Sequence, residues 1–104
     1  EVWVGVRAET VARHGAVSDP VAREMAEGIR AVTSATWGLS VTGIAGPTGG
    51  SEEKPVGTVF IGLAGPAGTR VQRHRFVGDR EQVRTWSAGM ALELLRQALL
   101  EAGR

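Results

Sequence analysis

The chain has 104 residues, enough for one domain, and its 12 basic and 11 acidic residues give a formal net charge of +1. This balance excludes a broad electrostatic surface for nucleic acid or a membrane, and only a small, locally bound anion is expected. The absence of cysteine excludes thiol nucleophiles, disulfides and thiolate metal sites and favours a cytoplasmic location, and no apolar stretch approaches the roughly 20 residues of a membrane span.

The N-terminal part of the chain predicts a short strand and a helix. In residues 2–6, valine alternates with other residues in the manner of a β-strand, but five residues are too few to decide the assignment. Ser18 is placed to cap a helix that begins with Asp19 and Pro20, because serine is a preferred N-cap and proline is favoured in the first turn. Apolar residues at helical spacing then predict the buried face of a helix over 19–35, formed by Val21, Met25, Ile29 and Val32.

The middle of the chain predicts β-strands. Residues 39–44 are short, apolar and β-prone, and residues 58–63 are apolar on both faces, as expected of an interior strand between two helical layers. After a turn at 65–68, residues 71–76 are richer in charge and predict the edge strand of an antiparallel hairpin. These elements favour a layered α/β fold.

The C-terminal part predicts one long amphipathic helix that closes the core. Asp79 and Gln82 have the spacing of a capping box at its start. Its apolar stripe is predicted to consist of Val83, Trp86, Met90, Leu94 and Ala98, widened by Leu95 and Leu99.

A glycine-rich stretch, Thr42-Gly-Ile-Ala-Gly-Pro-Thr-Gly-Gly50, lies at the C-terminal end of the strand predicted over residues 39–44. Ligands of open α/β sheets bind beyond the carboxyl ends of strands, and glycine lets backbone N–H groups approach an anion closely. The spacing matches neither a P-loop nor a dinucleotide-binding fingerprint. From spacing alone, a ligand loop and a purely structural turn-rich loop are equally acceptable interpretations.

A second candidate site lies at Gly78-Asp79-Arg80, where a turn meets a helix start. The free N–H groups and dipole of a helix N-terminus favour an anion, and the Arg80 guanidinium can donate a forked pair of hydrogen bonds to phosphate. Capping explains Asp79, and an arginine in a first turn is more often solvated than functional.

The remaining polar residues do not predict a catalytic centre. His14 and His74 are too isolated for a metal site and are interpreted as surface residues. Residues 52–54, Glu-Glu-Lys, are either a solvated charge cluster or a mobile lid, the former being commoner. Capping explains Ser18, and the other serines lack the context of an activated nucleophile, namely Ser40, Ser51 and Ser87.

Five collinear stretches together resemble the CinA C-terminal domain family. They are Arg13-His-Gly-Ala-Val-Ser18, Met25-Ala-Glu-Gly28, Val41-Thr-Gly-Ile-Ala-Gly-Pro-Thr-Gly-Gly50, Lys54-Pro-Val-Gly-Thr58 and Phe76-Val-Gly-Asp-Arg80. The resemblance implies a three-layer α/β/α domain with a mixed sheet, often dimeric. It also implies conversion of nicotinamide mononucleotide to nicotinic acid mononucleotide and ammonia, without metal or cofactor.

The same resemblance implies that catalytic elements are absent from this chain. The family nucleophile is a serine in a Glu-Ser-x-Thr-Gly-Gly motif, assisted by Tyr and Lys of a Tyr-Ser-Asn-x-x-Lys stretch, and neither motif occurs here. Residues 1–104 are therefore expected to form part of a single domain that lacks an N-terminal strand and helix, with no catalytic residue of its own.

Residue by residue, the resemblance assigns substrate binding to Thr42, Gly43, Gly46, Gly49, Gly50 and Arg80. The expected partners are nicotinamide mononucleotide or a related mononucleotide and further copies of the chain. The alternative is a noncatalytic nucleotide-binding or interaction module. Nucleic-acid binding is disfavoured, because the charge is nearly neutral and the five aromatic residues are not interleaved with basic ones.

Overall fold

A computed structural model describes residues 6–44, 46, 49–52 and 54–103. The strand predicted over residues 2–6 lies almost wholly outside these residues. No helix within the described part of the chain is long and apolar enough to cross a membrane. The elements in chain order are α1 (Ala8–His14), α2 (Asp19–Thr33), β1 (Gly38–Gly43), β2 (Thr58–Gly65), β3 (Gly68–Arg75) and α3 (Arg80–Ala102).

The three strands form a sheet in the order β1-β2-β3. Ile61 in the central strand pairs with Val41 on one side and Gln72 on the other, and both pairings are antiparallel. All eight residues of β2 are buried, which confirms the predicted interior strand, and β3 is the predicted edge of a hairpin. The resemblance led us to expect a mixed sheet, which needs at least one parallel pair of strands. The three described strands contain no parallel pair, so this expectation is not met among them.

The sheet lies between two helical layers, which confirms the α/β class. Successive strand side chains point to opposite faces. On one face, the Ser40 hydroxyl donates to the Ala22 carbonyl of α2 at 2.6 Å. On the other face, Val59, Ile61 and Leu63 join a buried cluster with residues of α3, namely Val83, Ala91, Leu94 and Ala98.

The buried face of α2 differs from the predicted one. Ser18 caps the helix as expected, accepting from the Val21 N–H at 3.4 Å. However, Val32 is 71% exposed, and the residues facing the core are mostly small: Val21, Ala22, Ala26 and Gly28. The reason is a close approach of helix and sheet, because a Cβ added to Gly62 would lie 2.5 Å from the Ala22 carbonyl oxygen.

The predicted capping box at the start of α3 is confirmed, but part of the apolar stripe predicted for this helix is wrong. The Gln82 N–H donates to Asp79 Oδ1 at 2.8 Å, and the Asp79 N–H donates to Gln82 Oε1 at 2.9 Å. Trp86 is 41% exposed and Leu99 49% exposed. Ser87 and Ala91 are buried instead. As in α2, small residues of α3 lie where the helix packs against the sheet. The Ser87 hydroxyl donates to the Val83 carbonyl at 2.6 Å.

Helix α1 was not predicted, because it has no capping side chain at its start. It is held by Glu24 of α2, which accepts from the Arg7 N–H at 2.9 Å, the Arg7 guanidinium at 3.2 Å and the Thr10 hydroxyl at 2.6 Å. Burial acts to raise the pKa of Glu24, but the Thr10 and Arg7 hydrogen bonds and the Arg7 charge outweigh it, so the pKa lies below its ordinary value.

Candidate functional site

Three connecting segments meet at one end of the sheet. Because the strands are antiparallel, the end of β1, the start of β2 and the end of β3 lie together, with Gly43 opposite Val59 and Thr58 opposite Arg75. The segments that leave this end are the α1–α2 turn (15–18), the glycine loop (44–57) and the β3–α3 turn (76–79). The sequence motifs singled out above therefore lie at one end of the molecule.

Backbone hydrogen bonds close the base of the glycine loop. The Ile44 N–H donates to the Thr58 carbonyl at 2.9 Å, and the Gly57 N–H donates back to the Ile44 carbonyl at 2.6 Å. The Phe76 N–H donates to the Gly57 carbonyl at 2.9 Å, so the β3–α3 turn is attached to the same base. Backbone hydrogen bonds therefore join the base of the glycine loop to the β3–α3 turn.

Lys54 ties the glycine loop to the α1–α2 side of the molecule. Its ammonium donates to the His14 carbonyl at 2.9 Å, and its backbone N–H donates to the Ser51 hydroxyl at 3.1 Å. Lys54 thus has a definite structural contact, whereas Glu52 is exposed and Glu53 lies outside the described residues.

The glycine positions have structural explanations within the loop. Gly46 and Gly49 have φ of +86° and +100°, a region that favours glycine. A Cβ on Gly46 would lie 2.6 Å from Val56 Cγ1, and one on Gly50 would lie 2.5 Å from the Val56 nitrogen. Close packing against Val56 therefore requires glycine with or without a ligand, and substrate binding by Gly43, Gly46, Gly49 and Gly50 stays a prediction.

Arg80 and Thr42 lie on different sides of this region. Arg80 is the first residue of α3, and its guanidinium donates to the Gly46 carbonyl at 3.4 Å. The structure thus brings together two of the predicted ligand positions. The Thr42 hydroxyl instead donates to the Ala16 carbonyl at 2.9 Å, on the α2 side of the sheet. The Thr42 side chain therefore does not face the same space as Arg80.

A cleft of about 240 Å³ adjoins this end on the α3 side of the sheet, and its walls are formed by Val41, Gly43, Val59, Arg84, Ser87 and Ala88. Arg84 also lines a surface depression that it shares with Arg80. Ligand pockets are usually about 300–1,000 Å³, and this cleft is smaller than that range. Arg84 was not among the residues singled out from the sequence, although its i,i+4 spacing from Arg80 places both on one helix face.

The serine hydroxyls considered above are all engaged in structural bonds. Ser18 donates to the Gly15 carbonyl at 2.8 Å, Ser51 accepts from the Lys54 N–H, and Ser40 and Ser87 donate to helix carbonyls as described. Among the described residues, no three His, Cys, Asp or Glu side chains come together as a metal site would require. What this end of the molecule offers chemically is guanidinium groups beside a backbone loop, an arrangement suited to anions.

His14 is exposed, as predicted, and His74 is half-buried on β3. The His74 ring stacks on Phe76 at 5.7 Å between centroids and lies 3.0 Å from Gln72 Oε1. Its position on the edge strand agrees with the surface interpretation, with a packing role that the sequence did not indicate.

Fold and site together define a three-layer α/β domain with a glycine loop and a helix start at one end. The sequence model of the CinA C-terminal domain family matches residues 1–99 of this chain. A CinA-like protein of Anaeromyxobacter sp. (strain Fw109-5) is 59% identical over 99 residues, which are 95% of this chain and 24% of that protein. A CinA-like protein of Myxococcus xanthus (strain DK1622) is 52% identical over 101 residues, which are 96% of this chain and 24% of that protein.

Solved structures agree with the sequence relatives. The competence damage-inducible protein A (ComA) from Klebsiella pneumoniae subsp. pneumoniae MGH 78578 has a TM-score of 0.87 at 39% identity and matches 93% of this chain and 60% of that one. The competence/damage inducible protein CihA from Agrobacterium tumefaciens has a TM-score of 0.81 at 39% identity, and the match covers 90% of this chain and 58% of that one. The chain belongs to the CinA C-terminal domain family. It spans about a quarter of the length of these curated relatives and about three-fifths of the solved chains.

Proposed function

We propose that the end of the molecule formed by the three segments holds the phosphate of nicotinamide mononucleotide or a related mononucleotide, as part of a domain that hydrolyses the nicotinamide amide. The observation that most supports this is the position of Arg80, at the start of α3 and beside the Gly46 carbonyl of the glycine loop.

Arg80 is suited to a phosphate because its present contact is weak. At 3.4 Å the Arg80–Gly46 bond is beyond the usual range of about 2.7–3.2 Å for N–H···O bonds. A guanidinium has five N–H donors, and a phosphate is a far stronger acceptor than a backbone carbonyl. The Asp79 carboxylate, which would repel an anion, is turned to the Gln82 N–H in the capping box.

The reaction itself needs groups that the described residues do not supply. In the family as the resemblance describes it, a serine attacks the carboxamide carbonyl, and a nearby lysine or tyrosine transfers its proton. The chain would contribute binding and orientation of the nucleotide, and binding equal in ground and transition states does not raise kcat.

The alternative is a noncatalytic nucleotide-binding module. It is favoured by the structural engagement of the hydroxyls of Ser18, Ser40, Ser51 and Ser87 described above. It predicts binding without hydrolysis even when the family's catalytic segment is supplied.

Calorimetric titration tests the binding part of the proposal with two ligands that differ only in phosphate, nicotinamide mononucleotide and nicotinamide riboside. Arg80→Ala should weaken mononucleotide binding by roughly 10 to 150-fold, since a hydrogen bond to a charged group contributes about 1.5–3 kcal/mol. It should leave riboside binding unchanged. Arg96→Ala, which removes an arginine bound to Glu93 further along α3, is the matched control. An equal loss for both ligands, or no loss, would remove Arg80 from the site.

A further inference from the structure

Trp86 of α3 packs against the turn between β3 and α3. Its ring lies 6.2 Å from the Phe76 ring between centroids, with 48° between the ring planes. A Cβ added to Gly78 would lie 3.1 Å from Trp86 Cζ3, so the indole also covers the Gly78 backbone. Both contacts are with the segment that leads directly into Arg80, and 41% of Trp86 stays exposed.

Phe76 is the residue that attaches this turn to the glycine loop. Its N–H donates to the Gly57 carbonyl at 2.9 Å, and a side chain on Gly57 would collide with the Phe76 carbonyl. The half-buried Phe76 ring also stacks on His74, with 5.7 Å between centroids and 10° between planes. Aromatic pairs at such distances stabilise beyond the area that they bury. Trp86 therefore contacts a residue that is itself held at the base of the loop.

Trp86 supplies an attachment that the capping box of α3 does not. The capping box links Asp79 to Gln82, which fixes the start of the helix but not its place relative to the sheet. Val77, within the turn, is 76% exposed and contributes little packing. The indole joins the two parts, because it is carried by α3 and rests on the turn.

The side chain of Trp86 does not face the proposed phosphate site. It lies two residues after Arg84, or roughly 200° round the helix from it. Arg84 and Arg80 line one surface depression, and Arg84 also lines the cleft beside Val41. Any effect of Trp86 on a bound phosphate therefore passes through the position of the turn and of Arg80.

We infer that Trp86 is a positioning residue of the proposed phosphate site. By resting on Phe76 and Gly78, its indole fixes the angle at which the chain enters α3, and so holds the Arg80 guanidinium beside the Gly46 carbonyl. Arg80 is the first residue of α3, so a change in that angle displaces its guanidinium from the glycine loop. The role in binding rests on the proposed function, whereas the attachment of the turn does not.

Hydrogen exchange of the ligand-free chain tests the attachment of the turn. Trp86→Ala should speed exchange of the Phe76 and Asp79 amides by roughly 2 to 13-fold, the effect expected from loss of one aromatic pair. Trp86→Phe keeps an aromatic ring and should recover most of the slow exchange. Leu100→Ala, on a 52% exposed side chain further along α3, is the control and should leave both amides unaltered. Unaltered exchange in Trp86→Ala would overturn the inference.

A double-mutant cycle measured by calorimetry tests the link to Arg80. Trp86→Ala should weaken binding of nicotinamide mononucleotide by a similar factor, leave nicotinamide riboside unaffected and be rescued by Trp86→Phe. Added to Arg80→Ala, it should cause no further loss, because both substitutions act on one contact.

Three results with a parent chain that binds the mononucleotide would overturn the inference alone. These are losses that multiply in the double variant, an equal loss for the riboside, and no loss in Trp86→Ala. A parent chain that does not bind the mononucleotide would instead overturn the proposed function, and the binding role of Trp86 with it.

Discussion

At the scale of single residues, small side chains determine where the layers meet. Gly62 lies so close to α2 that a Cβ there would be 2.5 Å from the Ala22 carbonyl oxygen and 2.7 Å from the Ser40 hydroxyl. Gly89 of α3 has open space around its Cα, with nothing within 4 Å of an added Cβ. The same substitution should therefore have opposite effects at the two positions.

Gly62→Ala should lower the free energy of unfolding by about 1–3 kcal/mol, because overpacking forces backbone shifts. Gly89→Ala should raise it by about 0.5–1 kcal/mol, because alanine is the better residue in a helix interior. Urea unfolding of the two variants measures both changes. A Gly62→Ala variant as stable as the parent would mean that α2 is not held against the sheet at this distance.

Glu24 should make the attachment of α1 sensitive to acid. Its pKa in the folded protein is lower than the ordinary 4.5, despite the opposing effect of burial, because Thr10 and Arg7 hydrogen-bond to the carboxylate. A lowered folded pKa gives stability that is present above the unfolded value and is lost as pH falls through the folded value. Glu24→Gln should therefore destabilise the protein near neutral pH, by about 1.5 kcal/mol, and the difference should shrink below pH 4.5.

Melting temperatures measured from pH 7 to pH 3 test this dependence. Glu9→Gln, on an exposed side chain of α1, is the control and should give a curve parallel to that of the parent. A Glu24→Gln curve that stays parallel to the parent across the whole range would show that the Glu24 charge does not hold α1.

At the scale of elements, Lys54 connects the glycine loop to the end of α1. Lys54→Met removes the 2.9 Å bond to the His14 carbonyl and keeps most of the aliphatic stem. Hydrogen exchange should become faster at Ser51 and Gly57, with little change in β2. Glu52→Gln, an exposed neighbour, should leave exchange unaltered. Unchanged exchange in Lys54→Met would make the tether unimportant for loop order.

Elements with a local signal were predictable from the sequence, and elements fixed by tertiary contacts were not. The continuous apolar run of β2, the charged β3, the N-cap at Ser18 and the capping box at Asp79 each have a local physical cause, and the structure confirms them. Helix α1 depends on Glu24, which is distant in sequence. The buried faces of α2 and α3 depend on how closely each helix approaches the sheet, and hydrophobic periodicity does not contain that distance.

The candidate site was predictable to a similar extent. The glycine loop and Arg80 could be singled out because each motif has a mechanism for anion binding, and they lie together in the structure. The Thr42 side chain faces the α2 layer because of strand alternation and register. The register is known only from the structure of the sheet. The i,i+4 spacing from Arg80 could have singled out Arg84, but only the packing of α3 on the sheet shows that Arg84 lines a cleft with Val41 and Val59.

At the scale of the whole molecule, the 104-residue chain should bind the mononucleotide without hydrolysing it. Uncatalysed amide hydrolysis is very slow, and the hydroxyls of Ser18, Ser40, Ser51 and Ser87 each have a structural partner, so none of these four described serines is held as an activated nucleophile. Ammonia release from nicotinamide mononucleotide should match that of buffer. Robust release that is lost on Ser18→Ala or Ser51→Ala would show that one of these residues is the nucleophile after all.

The most direct test of the proposed function observes the phosphate itself. Phosphorus NMR of nicotinamide mononucleotide titrated with the chain should show a shift or broadening of the phosphate resonance that saturates with protein concentration. The same titration with Arg80→Ala should leave the resonance nearly unchanged, and Arg96→Ala should behave like the parent. A resonance that never responds, or that responds equally with Arg80→Ala, would contradict phosphate binding at this end of the molecule.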